Sequence, residues 1–371
     1  MPAAPSGEDV RWMRHALALA EQGLGLTAPN PSVGCVLVKD GRLIAAGVTA
    51  EAGRPHAERV ALDRAGEAAR GATAYVTLAP CTHEGQTGPC AEALVEAGIA
   101  RLVFAVDDPN PDMRSQGEDR FIAAGIAASK GVLAAEATAL NRGFFLTKTE
   151  NRPLVTCKLA SSLDGRIALS SGESQWITGP QARQDGHRLR LHHDAIMVGS
   201  ETVLQDDPAL TCRLPGLPRR TPYSPVRVVM DSRLRLPVNS GLAQTAGQVP
   251  TWVITDAPRK DVATARLAMP AGVDIISVPD TRDIRTVLAH LAERGITRLL
   301  VEGGGTLVAS VIQAGLVDHL VQYQAPKVIG ADGRPVVGPL GLANLDGAPT
   351  FTGTPPATIG KDLKWTMTRE E

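Results

Sequence analysis

The chain is poor in aromatic residues, carries almost no net charge and has no long apolar run. Aromatic residues make up 3% of its 371 residues, and the formal net charge is −1. Proteins that bind single-stranded nucleic acid rely on stacking aromatics and a basic groove, so this composition argues against a nucleic-acid partner. No run of about eighteen apolar residues occurs, so we expect neither a membrane-spanning helix nor a membrane partner.

Cysteine is scarce as well, and its number is odd. The five cysteines are Cys35, Cys81, Cys90, Cys157 and Cys212, of which only Cys81 and Cys90 lie close together. The first residues carry acidic side chains in an amphipathic pattern rather than the continuous apolar core of a signal peptide. We therefore expect a cytoplasmic protein with reduced thiols, in which a metal rather than a disulfide joins the close pair.

The length and the patterning predict two α/β domains. A chain of 371 residues exceeds one ordinary domain, and 43% hydrophobic residues are enough to build buried cores. Strands and helices alternate in both halves, which indicates layered sheets. The pattern relaxes around Asn141–Pro153, and a new strand follows. We therefore place the domains at 1–150 and 151–371.

Short motifs predict the elements that carry a site in the first half. Asp40–Gly41 is typical of a hairpin turn between two strands. A helix beginning at Pro55 would put His56 and Glu58 in its first turn. Cys90 opens a further helix, after a strand and a loop. The alternation predicts that these polar side chains lie at the strand ends of one sheet.

One motif combines an imidazole, two thiols and a carboxylate. His56, Cys81 and Cys90 are suitable ligands for a tetrahedral Zn²⁺ that keeps its fourth position open. Glu58, two residues after the imidazole, would move protons for a water activated by the zinc. The order H-x-E, then Pro-Cys and a second Cys, is the signature of zinc deaminases, with a wider gap here between the cysteines. It predicts hydrolytic deamination of a heterocycle, with Glu58 as the catalytic residue.

The same residues are compatible with two other classes of protein. A nucleic-acid cytidine or adenosine deaminase with an appended domain would use the same metal chemistry, although the composition argues against it. A zinc-stabilised binding module would hold its ion with four protein ligands, and His83 is the near candidate for the fourth. A structural zinc has no use for Glu58, so this carboxylate discriminates between the two kinds of site.

The second half contains a glycine-rich turn, Glu302–Thr306, between a predicted strand and a predicted helix. Glycine lets a phosphate approach the backbone, and a helix N-terminus offers unpaired N–H groups. An ordinary strand–helix turn is the alternative, because the spaced G-x-G-x-x-G fingerprint is absent. Trp176 could stack on a ligand ring or pack in a core. Arg190 and Arg213 could hold a phosphate or lie solvated at the surface.

Motifs that follow one another along nearly the whole chain resemble one family. They are PNPSVG, PHAE, TLAPCTHEGQTGPC, KLASSLDGRIA, SGESQWITGPQAR, DAIMVGSETVLQDDPALTCR and LLVEGGGTL. Together they resemble the bifunctional riboflavin-biosynthesis deaminase/reductases. The resemblance implies a cytidine-deaminase-like three-layer α-β-α domain followed by a dihydrofolate-reductase-like α/β domain. It also implies deamination of 2,5-diamino-6-(5-phosphoribosylamino)pyrimidin-4-one, and then NADPH-dependent reduction of the ribosyl side chain of the aminouracil product to ribityl.

The resemblance also implies roles for single residues. It makes His56, Cys81 and Cys90 the zinc ligands and Glu58 the proton carrier. The implied NADPH-binding positions are Ala160, Trp176, Thr202, Asp206, Gly304, Gly305, Thr306, Leu307, Val308, Ala309 and Ser310. The implied substrate-binding positions are Ser174, Arg190, Leu210, Arg213 and Glu302, to which we add Asn30 of the PNPSVG motif. Asp206 is the nearest candidate for a reductase proton donor. We expect a small phosphoribosyl pyrimidine as the partner molecule and a homo-oligomer, either a dimer or a tetramer.

Two positions depart from the pattern of that family. Ala79 stands where the family usually has the glutamate of TLEPC, and Gly88 stands where it usually has the first proline of T-P-P-C. Neither residue is an expected ligand or proton carrier, so we expect zinc binding to survive. Glycine in place of proline adds conformational freedom to the loop.

Overall fold

The structure is a computed structural model that divides into two compact units, Met1–Asn151 and Arg152–Glu371. Each unit has its own sheet and its own apolar core. None of the described helices is both long and apolar enough to cross a membrane. The residues that the structure describes are 6–82, 88–110, 116–216 and 224–370.

The first unit is built around one mixed sheet. Its helices and strands are α1 (Gly7–Glu21), β1 (Gly34–Lys39), β2 (Arg42–Val48), α2 (Ala57–Ala65), β3 (Thr73–Val76), α3 (Cys90–Glu96), β4 (Arg101–Phe104), α4 (Gln116–Ala123), β5 (Ala127–Lys130), α5 (Ala134–Leu140) and α6 (Arg142–Thr149). The strand order is β2-β1-β3-β4-β5. Strand β1 runs antiparallel to both its neighbours, whereas β3, β4 and β5 run parallel.

Strand β1 shows how the layers of this unit form. Cys35 and Leu37 belong to the apolar cluster that contains the inner faces of α2 and α3. Val36 and Val38 belong to a second cluster, which contains the inner face of α1. Successive strand residues point to opposite faces, so helices cover both sides of the sheet, and each fully buried valine or leucine contributes about 1.5–3 kcal/mol. This confirms the three-layer α-β-α architecture.

The local turns of the first unit agree with the sequence in one place and differ in another. Asp40 and Gly41 both have positive φ, 52° and 70°, as the predicted two-residue hairpin turn requires. The prediction that a helix begins at Pro55 is wrong by two residues. Arg54 is extended, as residues before proline are, and His56 is extended too, with φ −68° and ψ 158°. Helix α2 therefore begins after His56.

Helix α6 lies where the sequence pattern relaxes. Phe144 and Leu146 on this helix are buried. The side chain of Asn141, at the N-terminal boundary of α6, makes two hydrogen bonds with the backbone of Ser32: its Oδ1 accepts from the N–H at 2.9 Å, and its Nδ2 donates to the carbonyl at 2.8 Å. These bonds join positions 109 residues apart, so no local pattern could have indicated what anchors this helix.

The second unit is built around a larger sheet. Its elements are β6 (Leu154–Ser161), β7 (Arg166–Ala168), α7 (Pro180–Leu191), β8 (Ala195–Gly199), α8 (Ser200–Asp206), β9 (Val226–Met230), α9 (Gly241–Gln244), β10 (Thr251–Thr255), α10 (Arg259–Ala268), β11 (Val273–Ser277), α11 (Ile284–Glu293), β12 (Arg298–Val301), α12 (Gly305–Gln313), β13 (His319–Gln324), β14 (Arg334–Pro335), β15 (Phe351–Gly353), β16 (Ala357–Ile359) and β17 (Asp362–Arg369).

The order of strands in this sheet positions the second site. The sheet runs β11-β10-β9-β8-β12-β6-β13-β17-β15, and β16 pairs with β17. Neighbouring strands from β11 to β13 are parallel, and the pairs made by β17 are antiparallel. The carboxyl ends of β8, β12 and β6 therefore meet side by side, which is where ligands bind in parallel α/β sheets. The α/β class predicted for this half is confirmed.

Candidate functional site

Three elements of the first unit bring an imidazole and two thiols together. His56 is the N-cap of α2 and makes no side-chain cap hydrogen bond, so its ring is left to face the cysteines. Cys81 follows β3, and Cys90 is the first residue of α3. His56 Nδ1 lies 3.6 Å from Cys81 Sγ and 3.3 Å from Cys90 Sγ.

The three donor atoms fit one zinc ion. All of them lie within 4.8 Å of one another. A tetrahedral zinc with ordinary Zn–N and Zn–S bonds holds a nitrogen and a sulfur roughly 3.6 Å apart, which is close to the two observed separations. His83, the candidate for a fourth protein ligand, lies outside the described residues. The described residues thus supply the three-ligand set of a catalytic zinc site, which leaves one coordination position for water or substrate.

The two thiols differ in acidity. A hydrogen bond from Cys90, and a further one with His56, lower the pKa of the Cys81 thiol to about 4 against the opposing effect of burial. The same contact with Cys81, together with burial, raises the pKa of Cys90. The backbone N–H of Cys90 also donates to Cys81 Sγ at 3.3 Å. The pair therefore loses one proton readily, and a dication that binds both sulfurs must displace the second.

Glu58 lies beside this set on the first turn of α2. Its side chain is 3% exposed and faces the same cavity as His56 and Cys81. Burial raises the pKa of Glu58 to about 7, and the charge of Cys81 adds to the rise. A carboxyl group with a pKa near the working pH can both accept and release a proton. This is the acid–base behaviour that a hydrolytic deaminase needs.

A cavity of about 190 Å³ opens over the donor set. Asn30 lines it, and the side-chain amide of Asn30 donates to the carbonyl of Gly53 at 3.0 Å, which fixes its orientation. Ala79 lines the cavity as well. A Cβ added to Gly88 would have Arg59 Nη2 as its neighbour at 3.6 Å, an ordinary contact, so the backbone there has room for a larger residue.

The second unit holds a cleft at the carboxyl ends of β6, β8 and β12. It consists of two adjoining cavities of about 470 and 540 Å³. Both are lined by Ala160, Ser174, Thr202, Asp206 and Glu302, which are all residues that the sequence singled out. Cavities of this size are large enough for a dinucleotide cofactor beside a smaller substrate.

The glycine-rich turn forms one wall of the 470 Å³ cavity and opens α12. A Cβ on Gly305 would lie 2.7 Å from the carbonyl oxygen of Pro335, so only glycine fits there. Gly304 is the N-cap of α12, and a Cβ on it would have Thr202 Oγ1 as its neighbour at 3.9 Å. Gly304, Gly305 and Thr306 line this cavity, so the N-terminus of α12, where a phosphate of NADPH could bind, borders it. Val308 and Ala309, also predicted to bind NADPH, are buried in the helix and do not line this cavity.

Arg190 is only 15% exposed, and its side chain is paired rather than solvated. Its guanidinium group donates to both carboxylate oxygens of Glu302, at 2.8 and 3.0 Å, and to the carbonyl of Thr211 at 2.9 Å. Lys158 Nζ lies 3.5 Å from the same carboxylate. Burial would raise the pKa of Glu302, but Arg190 and Lys158 outweigh it and hold the pKa at about 2.

Lys158 is a cleft residue that the sequence analysis did not single out. It lines both cavities of the second unit. The available signal was a charged side chain inside an otherwise apolar parallel strand, LVTCKLAS, because such strands are buried on both faces. A lysine that stays in such a strand needs a partner, which Glu302 provides.

Three further predicted residues of the reductase, Trp176, Leu210 and Arg213, line the 540 Å³ cavity, whereas Ser310 lines neither cavity. Leu210 is buried, and Arg213 is exposed. Trp176 is exposed too, and the guanidinium carbon of Arg183 lies 4.4 Å from its ring centroid. The indole is therefore not a core residue, which leaves one face available for a ligand ring.

The first unit has the three-layer fold and the His–Cys–Cys set of a zinc-dependent deaminase, and the second has the cleft of a nucleotide-dependent reductase. A family model described as the cytidine and deoxycytidylate deaminase zinc-binding region matches residues 6–106. A second, described as the RibD C-terminal domain, matches residues 153–364. The chain belongs to the family of bifunctional riboflavin-biosynthesis deaminase/reductases. Zinc is the metal of its deaminase, and NADPH is the cofactor of its reductase.

Individual relatives agree over nearly the full length. The chain is 42% identical to the riboflavin biosynthesis protein RibD of Escherichia coli (strain K12) over 368 residues, which cover 96% of this chain and 98% of that protein. It matches the structure of Acinetobacter baumannii RibD with a TM-score of 0.89 at 37% identity, over 98% of this chain and 99% of that one.

A third relative is a Thermotoga maritima protein described as a diaminohydroxyphosphoribosylaminopyrimidine deaminase/5-amino-6-(5-phosphoribosylamino)uracil reductase. Its structure matches with a TM-score of 0.85 at 34% identity, over 98% of this chain and 99% of that one. Because these relatives are riboflavin-biosynthesis proteins, the nucleic-acid deaminase considered above is not favoured.

Proposed function

We propose that residues 1–150 deaminate 2,5-diamino-6-(5-phosphoribosylamino)pyrimidin-4-one, and that residues 151–371 reduce the ribosyl side chain of the product to ribityl. The observation that supports the deamination is the cavity that Glu58 shares with His56 and Cys81, two members of the His–Cys–Cys set. The second half is supported by the double cavity beside the glycine-rich turn. The Thermotoga maritima relative is described by the same two activities.

In the deaminase, this chain's residues hold the metal and move protons. His56, Cys81 and Cys90 bind zinc, which when bound activates a water molecule for attack on the ring carbon that carries the amino group. Glu58 would take one proton from that water and pass it to the ring nitrogen. It would then carry the remaining hydroxyl proton to the amino group, which leaves as ammonia while the carbonyl forms. A pKa of about 7 suits both transfers at neutral pH. Asn30, held by Gly53, orients the ring.

In the reductase, the residues position two ligands. NADPH supplies the hydride, and the N-terminus of α12 binds its phosphates. Arg213 lines the substrate side of the cleft and binds the substrate phosphate. Ser174 lines both cavities, so it lies where the two ligands meet. Partial burial raises the pKa of Asp206, which lines both cavities and is the candidate proton donor.

We also propose a cytoplasmic location and a homo-oligomeric state, either a dimer or a tetramer. A biosynthetic role and five cysteines without disulfides support the location. Apolar side chains exposed on β17, Leu363 and Trp365, support a contact between copies. Light scattering after gel filtration measures the mass, and a monomer at micromolar concentration contradicts the assembly.

A single incubation tests both activities. The diaminopyrimidinone phosphate is mixed with zinc-loaded protein, with and without NADPH, and the products are weighed by mass spectrometry. Replacement of an amino group by oxygen raises the mass by about one unit, and reduction adds two hydrogen atoms. The first change is expected without NADPH and both with it. An unchanged substrate would overturn the proposed deamination, and a product that stops at the aminouracil would overturn the proposed reduction.

A further inference from the structure

The deaminase cavity contains two cationic side chains that none of the proposed chemistry uses. Among the described residues that line it, these are Arg54 and Lys148, in addition to the zinc-binding His56. Arg54 directly precedes the PHAE motif, and Lys148 lies in the last turn of α6. They come from two elements that are far apart in the sequence, and the fold places both at one opening.

Lys148 lies against the wall of the cavity. Lys148 Nζ lies 5.5 Å from the ring centroid of Phe144, and Phe144 lines the same cavity. Lys148 is exposed and Arg54 is half-buried, whereas Glu58 is 3% exposed at the inner end. The cavity therefore has an acid–base group at its base and positive charge towards solvent.

The volume of the deaminase cavity indicates which part of the substrate it can enclose. Sites that enclose a whole drug-sized ligand usually measure roughly 300–1,000 Å³, whereas this cavity measures about 190 Å³. It can take the pyrimidine ring, and the phosphoribosyl group must then extend through the opening. The substrate's charged end accordingly meets the two cations.

Two acidic residues line the cavity as well. Glu58 lies at the buried end. The carboxylate of Asp108 also lines the cavity, but its Oδ1 accepts the backbone N–H of Asn110 at 2.8 Å and so closes a local turn. A phosphate that enters beside Arg54 and Lys148 meets a guanidinium group and an ammonium group.

We propose that Arg54 and Lys148 bind the 5′-phosphate of the deaminase substrate and determine its preference for a phosphorylated pyrimidine. The planar guanidinium group of Arg54 can bind two phosphate oxygens at once, and the ammonium group of Lys148 acts as a point charge. This inference rests on the proposed deamination and adds two residues that set its specificity. They act on binding and leave the proton transfers to Glu58.

The test compares deamination of the substrate with and without its 5′-phosphate. For Lys148→Ala and Arg54→Ala we expect kcat/KM for the phosphorylated substrate to fall about ten- to a hundredfold, mostly through KM. The same variants should treat the dephosphorylated substrate as the unchanged protein does. Lys148→Arg should restore most of the loss. Lys39→Ala is the matched control, because Lys39 is an exposed lysine of the same unit that does not line the cavity.

The outcomes separate the two proposals. If the unchanged protein deaminates neither substrate, the proposed deamination fails. If it deaminates the phosphorylated substrate and both variants keep its full kcat/KM, the phosphate-binding role alone is overturned. An equal loss on both substrates would also overturn it, because the residues would then support the fold or the chemistry. Unchanged zinc content shows that the first unit of each variant, which holds the three ligands, is folded.

Discussion

Arg190 and Glu302, which are 112 residues apart in the sequence, form a two-point ion pair at the centre of the reductase cleft. Arg190 Nε and Nη2 donate to the two carboxylate oxygens at 2.8 and 3.0 Å. Their side chains are only 15% and 10% exposed. Most of the guanidinium group is therefore committed to protein partners, and Arg213 is the better placed arginine for a substrate phosphate.

Breaking this pair should destabilise the second unit. Arg190→Ala leaves Glu302 buried with one cation, Lys158, and removal of one partner of a buried pair costs about 3–5 kcal/mol. Three of the four tryptophans lie in this unit, so urea unfolding followed by fluorescence reports on it. Arg188→Ala is the control, because Arg188 lies on the same helix with its side chain 69% exposed. If Arg190→Ala lowers the free energy of unfolding no more than Arg188→Ala does, the ion pair does not contribute the expected stability.

Removing the carboxylate of Glu58 should abolish deamination alone. Glu58→Ala keeps the three zinc ligands, so we expect unchanged zinc content and a deamination rate about 10²–10⁴-fold lower, the usual contribution of a general acid–base group. NADPH oxidation on the aminouracil substrate should be unaffected. Glu67→Ala replaces an exposed glutamate of the same unit and serves as the control. Deamination by Glu58→Ala at the full rate would show that the proton carrier is another group.

Arg213 should contribute to substrate binding in the reductase. Loss of one charge-assisted contact with a phosphate corresponds to about a tenfold or greater rise in KM. We expect this rise for Arg213→Ala with the phosphorylated aminouracil and no change in deamination. The comparison variant is Arg259→Ala, an exposed arginine of the second unit that lines neither cavity. If substrates with and without the phosphate are reduced equally well by the unchanged protein, Arg213 does not bind that group.

Stability should fall in acid partly because of His193. This histidine is 3% exposed, and burial together with the charge of Arg298 lowers its pKa to about 3. Its pKa in an unfolded chain is about 6.5. Between these values the unfolded chain binds a proton that the folded one does not. The contribution of His193 to stability is therefore complete above pH 6.5 and is lost as the pH falls towards 3.

The size of this effect can be measured by substitution. From pH 7.5 to pH 5 the loss due to His193 is roughly 2 kcal/mol. His193→Gln keeps a donor and an acceptor for Leu189 and Thr156, the two present partners, but cannot titrate. We expect the variant to lose about 2 kcal/mol less than the unchanged protein over that range. If urea unfolding shows that the free energy of unfolding falls by the same amount in both proteins between the two pH values, His193 does not cause the loss.

Much of the zinc site could be predicted because the sequence motifs that indicate it are short and local. His56 and Glu58 are two residues apart, and Cys90 begins a helix that the sequence already indicated. A hairpin at Asp40–Gly41 needs only two residues that tolerate positive φ, and the structure has them. The start of α2 was misplaced because the extended conformation of His56 depends on the residues around it. The roles of the site residues remain predictions, and the experiments above test them.

By itself, the sequence determined the chemistry, since ligand types and spacing specify a zinc deaminase and the ordered motifs specify the family. Only the tertiary structure decided which distant residues meet. Arg190 pairs with Glu302, which follows β12 and lies 112 residues away in the sequence. Arg54 and Lys148 both line the deaminase cavity. Such pairs leave no periodic or local trace, because their proximity follows from strand order and helix packing. The cofactors can be inferred from motifs that are local in the sequence. The charged residues that select a substrate are distant in the sequence and are brought together only by the fold.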